Sequence, residues 1–301
     1  MPQESRPLAA ALWMGGAITG LVSMAVAGRA VSPIHDTFEI MTWRSLVGLV
    51  LVLGVALPAG YGPDIKVRRM GQHFIRNAFH FAGQNLWFAA LTMIPLAQLF
   101  ALEFSYPILV ALAAPFLLAE VLTRQKLAAA LVGFVGVLIV AQPWAAGGFG
   151  LGTALALLAA VGFAGSTLIT KQLTRTAPMT EILFWLVVFQ FVFGLILAMA
   201  DGHMTWPTAA SLPWLVVIGV AGLGAHFCLT RALRLAPASV VAPFDFLRLP
   251  IIALVGAAFY DEPLSAAIIL GGAIIFGANW INIRTENRSK RVAMRQQNAT
   301  S

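Results

Sequence analysis

A run of about two dozen mostly apolar residues with one acidic group inside it occurs twice, and the second copy aligns with the first without a gap. Pro95 and Pro237, Glu103 and Asp245, Phe104 and Phe246, and Glu120 and Glu262 are each 142 residues apart. Roughly 20 apolar residues make a helix long enough to cross the hydrocarbon of a bilayer. A carboxylate inside such a run is costly enough to need a partner or a function. The offset continues outside the run: Gly20 and Gly162, Arg29 and Lys171, Glu39 and Glu181, Trp43 and Trp185, Ala90 and Ala232, and Leu91 and Leu233 all keep it. The chain is one unit written twice.

Composition confines that unit to a membrane. Of 301 residues 59% are hydrophobic and only 10% charged, with a mean hydropathy of +0.86; soluble domains carry about 25% charged residues. The net charge of +7 does not form a nucleic-acid patch, because the basic residues fall between apolar runs and read as topology signals. A single cysteine, Cys228, excludes an intramolecular disulfide. No zinc or iron ligand spacing and no cofactor motif occurs. Arg6, the apolar run from Leu8 and the Ala25-Val26-Ala27 triplet look like a secretory leader. The run is longer than a typical leader core and aligns with an internal segment, so it is expected to stay as the first span.

Apolar segments predict ten spans, near 8–28, 36–57, 72–93, 96–119, 126–142, 150–170, 181–200, 212–233, 238–260 and 264–283. The expected fold is all-α and integral to the membrane, with five helices in a first repeat over 1–145, five in a second over 146–285, and a basic tail at 286–301. Five is odd, so two tandem copies enter the membrane in opposite senses, related by a pseudo-two-fold axis in the bilayer plane. With the N-terminus in the cytoplasm, sixteen Lys and Arg residues fall on the inner side, from Arg6 through Lys66, Arg76, Lys171 and Arg234 to Arg295, and Arg29 alone falls outside. That bias predicts both termini inside. The tail reads as an anchor to anionic lipid.

Polar residues within the spans mark the candidate site. Glu103 is expected about 10 Å in from one end of the fourth span, and Asp245 about 10 Å in from the opposite end of the ninth. Tyr106 and its repeat mate Arg248 fall near the centre. Pro107 and Pro250 follow and remove helix hydrogen bonds, which lipid tolerates only where the freed backbone faces protein or a hydrated cavity. Spans 4 and 9 are therefore expected to line a cavity. Thr19 and Ser23 on span 1, His80, Gln84, Asn85 and Trp87 on span 3, Ser166 and Thr167 on span 6, and His226 on span 8 lie at similar depth. Each has a plainer reading. Asp245 and Arg248, three apart, can neutralise one another; the histidines can be satisfied core groups; the amides and hydroxyls can be glue between helices. Arg44 reads as snorkelling or structurally paired, and Glu120 and Glu262 as caps or hinges. Charges, amides and aromatics together suit a polar organic molecule with a planar part better than a bare metal ion.

At these residues the chain resembles the drug/metabolite transporter superfamily, in its ten-helix form with two EamA-type domains. The resemblance is carried by Phe38-Glu39 to Arg44, Met93-Ile94-Pro95-Leu96-Ala97, the Ala119-Glu120 and Asp261-Glu262 ends, and the glycine-rich fifth and tenth helices with Gly133, Gly136, Gly271, Gly272 and Gly277. Gly133-Phe134-Val135-Gly136 and Ala242-Pro243-Phe244-Asp245-Phe246-Leu247 are similar to bacterial S-adenosylmethionine, riboflavin and amino-acid carriers. The resemblance implies alternating access across the bacterial inner membrane, a cavity lined from spans 1, 3, 4, 6, 8 and 9, a small-molecule substrate with a coupled proton or sodium ion, and no enzymatic chemistry. Export by the same fold, an intramembrane enzyme and an ion channel are the competing readings. Neither a metalloprotease pair nor a G-x-x-x-x-G-K-[ST] phosphate loop occurs.

Overall fold

The computed structural model describes residues 7–118, 124–142, 149–174, 176–235, 247–278 and 280–281. In chain order the helices are α1 (Pro7–Val31), α2 (Thr37–Ala56), α3 (Met70–Leu91), α4 (Leu96–Glu103), α5 (Tyr106–Leu118), α6 (Arg124–Ala141), α7 (Leu151–Leu173), α8 (Met179–Ala198), α9 (Leu212–Leu235), α10 (Arg248–Tyr260) and α11 (Ala266–Ala278), with a short 3-10 turn at Gly62–Asp64. No strand occurs among the described residues. α4 and α5 together form the expected fourth span, so the helices fill the ten predicted segments. Five of them, within α1, α2, α7, α8 and α9, are individually long and apolar enough to cross a membrane. α3 is as long, but His73, Arg76, Asn77, His80, Gln84 and Asn85 are all buried in it, so its hydropathy is spent on polar groups facing protein.

Local chemistry sets the boundaries. Asp36 accepts from the Glu39 amide at 2.8 Å while Glu39 accepts from the Asp36 amide at 3.2 Å, a reciprocal cap that starts α2. α4 stops at Glu103 and a new helix starts at Tyr106. Pro107 can donate no hydrogen bond, and at the second position of α5 it needs none. Ser105 Oγ turns back to the Leu102 carbonyl at 2.7 Å. Pro250 sits likewise in the first turn of α10.

Contacts between helices define the arrangement of the two repeats. α2 and α8 hold equivalent places in them and pack antiparallel: Thr42 lies against Gly194, and Gly48 against Val187. The other equivalent pair, α6 and α11, also runs antiparallel, Gly133 against Ala278 and Gly136 against Gly271 and Ile275. Identical units that pair antiparallel with each other are inverted. The remaining close crossings obey the same axis. Gly20 on α1 meets Ala225 on α9, and their mates Gly162 and Gly83 meet where α7 crosses α3. A Cβ on Gly162 would stand 2.7 Å from the Gly83 Cα. Without a hydrophobic drive between helices in lipid, such small-residue contacts are the main source of packing energy. The largest buried cluster joins α1, α2, α3, α4 and α9 around Met41, Phe88, Leu91, Phe100 and Leu215.

Candidate functional site

The break in the fourth span places a charge pair where the repeats meet. Glu103, the last residue of α4, accepts from Arg248 at the start of α10 at 3.0 Å, and its second oxygen accepts from Trp87 Nε1 at 2.8 Å. Glu103 is 8% and Arg248 3% exposed. The Arg248 guanidinium also sits over the rings of Phe100 and Phe104, 5.0 and 4.7 Å from their centres. Face contacts of this kind stabilise a desolvated cation, and the Trp87 bond fixes the orientation of the carboxylate. Trp87 and Phe104 thus lie at the ion pair, with Trp87 packed edge-on against Phe88 and Phe100. Tyr106 and Pro107 are half-buried beside the break, and Pro250 is exposed. Asp245 and Glu120 lie outside the described residues.

A second polar group forms along α3. The rings of His80 and His226 are 6.2 Å apart, and Phe163 flanks His80 at 5.9 Å. Arg76 donates to Thr170 Oγ1 at 3.0 Å and to Asn77 Oδ1 at 2.7 Å. Asn77 in turn donates to the Trp185 carbonyl, and Gln190 to the Asn77 carbonyl at 3.0 Å. Gln84 is buried, and Asn85 donates to the Phe81 carbonyl at 2.8 Å. Ser166 is buried on α7, whereas Thr167 and Thr19 are exposed and Ser23 half-buried. No group of His, Cys, Asp and Glu able to hold a metal ion occurs among the described residues.

At the face where α1 ends, one ion pair ties four helix ends together. Asp261 adopts the left-handed conformation (φ 52°), which turns the Glu262 side chain back across Gly256. Glu262 there accepts from Arg29 and, at 2.7 Å, from the Leu96 amide that opens α4. Arg29 spends its other donors on the Leu91 and Ile94 carbonyls after α3 and lies over the Tyr260 ring at 4.8 Å. Repeat mates of the pair are Lys171 and Glu120.

A pocket opens between α2, α8 and α9, lined by Arg44, Ser45, Gly48, Val187, Gln190 and His226 among others. Of these helices only α9 belongs to the six spans from which the resemblance implies a cavity. Arg44 points inward against Gly222 and Met24, with no ion pair among the described residues. Sequence reasoning passed over Gln190 and Arg76, and it gave Arg44 a peripheral role. The Arg29 and Glu262 pairing was legible in principle, because opposite charges end two spans on the same side.

An all-helical chain of two inverted repeats, with buried charge at its waist and a charged latch at one face, has the build of a multi-pass membrane transporter. The chain belongs to the EamA-like transporter family, whose pattern matches residues 8–142 and 150–284. It is 31% identical over 255 residues to a riboflavin transporter of Brucella anthropi, covering 83% of this chain and 89% of that one. It is 26% identical over 253 residues to an S-adenosylmethionine uptake transporter of Rickettsia prowazekii, covering 84% and 85%. A solved crystal structure superposes with a TM-score of 0.65 at 20% identity, over 93% of this chain and 98% of that one, a likeness of fold. The chain is a small-metabolite transporter and not an enzyme.

Proposed function

We propose that the chain is a secondary carrier that takes up a small polar metabolite with a planar ring system, of the riboflavin or S-adenosylmethionine kind, across the bacterial inner membrane. The observation that carries the proposal is the junction of the two repeats at Glu103 and Arg248, a desolvated pair at the break of the fourth span. Two halves, 1–145 and 146–285, rock about this junction, and the breaks at Pro107 and Pro250 act as their hinges. Trp87, Gln84, Tyr106, His80, His226, Thr19 and Ser23 supply the substrate's surroundings, together with Asp245. Glu120 and Glu262 guard opposite faces. Arg29 stands outside and the basic residues inside, with both termini and the 286–301 tail on the cytoplasmic side against anionic lipid. No nucleotide loop occurs in the sequence, so the drive is a proton or sodium gradient or exchange.

The test is reconstitution of the purified chain into proteoliposomes with radiolabelled riboflavin and S-adenosylmethionine, under proton, sodium and no gradients. Saturable accumulation of one substrate, recovered chemically unchanged, is expected, and Glu103→Gln should lower uptake per folded molecule at least tenfold. No uptake of either compound under any gradient rejects the reading.

A further inference from the structure

The pocket between α2, α8 and α9 holds charge and hydrogen-bonding capacity that the fold does not use. Among the described residues, the one hydrogen-bonding contact of the Arg44 guanidinium is the Met41 sulfur at 3.5 Å, a weak acceptor. The absence of a side chain at Gly222 makes room for the fork, since a Cβ there would lie 3.0 Å from Arg44 Nη2. Across the pocket Gln190, 3% exposed, donates through Nε2 to Asn77, while its Oε1 has no partner. Ser45 and His226 complete the polar lining. Arg76 is buried on α3, the helix whose His80 faces His226 at 6.2 Å, and it adds a second positive charge to the region. Among the described residues Arg76 is bonded to neutral groups only. Glu103 is committed to Arg248 and Trp87, Glu39 caps the start of α2, and Glu181 lies beside His73 and Arg68. No carboxylate among the described residues pairs with Arg44.

Arg44 is half-buried, and an uncompensated cation within a membrane span is costly unless an anion arrives to meet it. We infer that this pocket binds a small oxyanion that carries a hydrogen-bond donor beside it. A carboxylate or phosphate oxygen is held by the Arg44 fork, and an adjacent N–H or O–H by Gln190 Oε1. α-Amino carboxylates and singly protonated phosphates share that chemistry. The planar guanidinium suits two-point contact with such a group, and Gln190, which donates one amide hydrogen to the Asn77 carbonyl, presents its Oε1 as an unused acceptor. The inference rests on the carrier reading for its purpose but is separate from the Glu103 junction.

The test uses the full chain in lipid nanodiscs without a gradient, with thermal unfolding followed by tryptophan fluorescence. Probes are L-alanine, inorganic phosphate, propionate (anion without donor) and L-alaninamide (donor without anion). L-Alanine, phosphate or both should raise the midpoint with concentration, propionate should do so more weakly, and L-alaninamide not at all; which oxyanion is preferred separates amino-acid from phosphate ligands. Arg44→Gln should weaken the effective anion at least tenfold, and Arg44→Lys, which keeps the charge without the fork, by less. Gln190→Leu should erase the advantage of L-alanine over propionate, a readout that stands even where Arg44→Gln fails to fold. No stabilisation by any anionic probe, or stabilisation that survives Arg44→Gln, overturns the site. Uptake with no Arg44-dependent binding overturns the site alone, whereas Arg44-dependent binding without uptake leaves the site standing and removes the carrier reading.

Discussion

Glu103 and Arg248 lie 145 positions apart and depend on one another. Each is buried, so removing one partner leaves the other as an uncompensated charge, at a cost of about 3 kcal/mol or more. Glu103→Gln should therefore lower the midpoint of thermal unfolding in detergent, and Arg248→Gln should do the same. The double variant should be more stable than the sum of the two losses predicts, since neither charge is then stranded; strict additivity would mean the pair is not coupled. Sequence reading placed Glu103 about 10 Å in from one end of its span and Arg248 near the bilayer centre, because depth follows from counting along a helix. It offered Asp245 as the partner of Arg248, three residues away on the same helix, and left Glu103 alone. The pairing across repeats was illegible because it depends on how closely two inverted halves approach, which no local spacing encodes. Arg44 was misjudged for a related reason: its distance from the helix end suggested snorkelling, while its direction is set by the room at Gly222.

Helix breaks and crossings were the most readable features. Pro107 announced an interruption after Glu103, and α4 ends there. The new helix begins at Tyr106, so Pro107 occupies a first turn where proline does little harm. Pro107→Ala should consequently change stability by less than about 1 kcal/mol while allowing α4 and α5 to join. Transport should fall severalfold with the unfolding midpoint nearly unchanged, and equal rates would show that the break does no mechanical work. The glycine crossings make the opposite prediction. Gly162 has the Gly83 backbone within 2.8 Å of any added Cβ, and backbone cannot yield as a side-chain tip does. Gly162→Ala should thus destabilise by roughly 1–3 kcal/mol, the usual cost of overpacking. Gly224, where a Cβ meets open space, should accept alanine without loss. The repeat offset had marked Gly20 and Gly162 as equivalent, but which helix each touches emerged only with the fold.

For the molecule as a whole, the latch of Arg29 and Glu262 is predicted to hold one face shut. It joins the ends of α1, α3 and α10 to the start of α4, so both repeats are held by a single residue pair. Glu262→Gln keeps an acceptor for the Leu96 amide but removes the charge that holds Arg29. Spin labels at Thr92 and Leu264 should then report a longer and broader distance distribution than in the parent chain; an unchanged distribution would show that packing alone closes this face.

Arg29 also differs in kind from its repeat mate. Arg29 engages three helix ends through a rigid fork, whereas Lys171, at the equivalent place, is a compact ammonium on a flexible stem. Such a difference between repeat mates would give the carrier a preferred resting posture in the absence of solute. That preference sets how long it waits on each side, while the net direction of flow is left to the gradients that surround it.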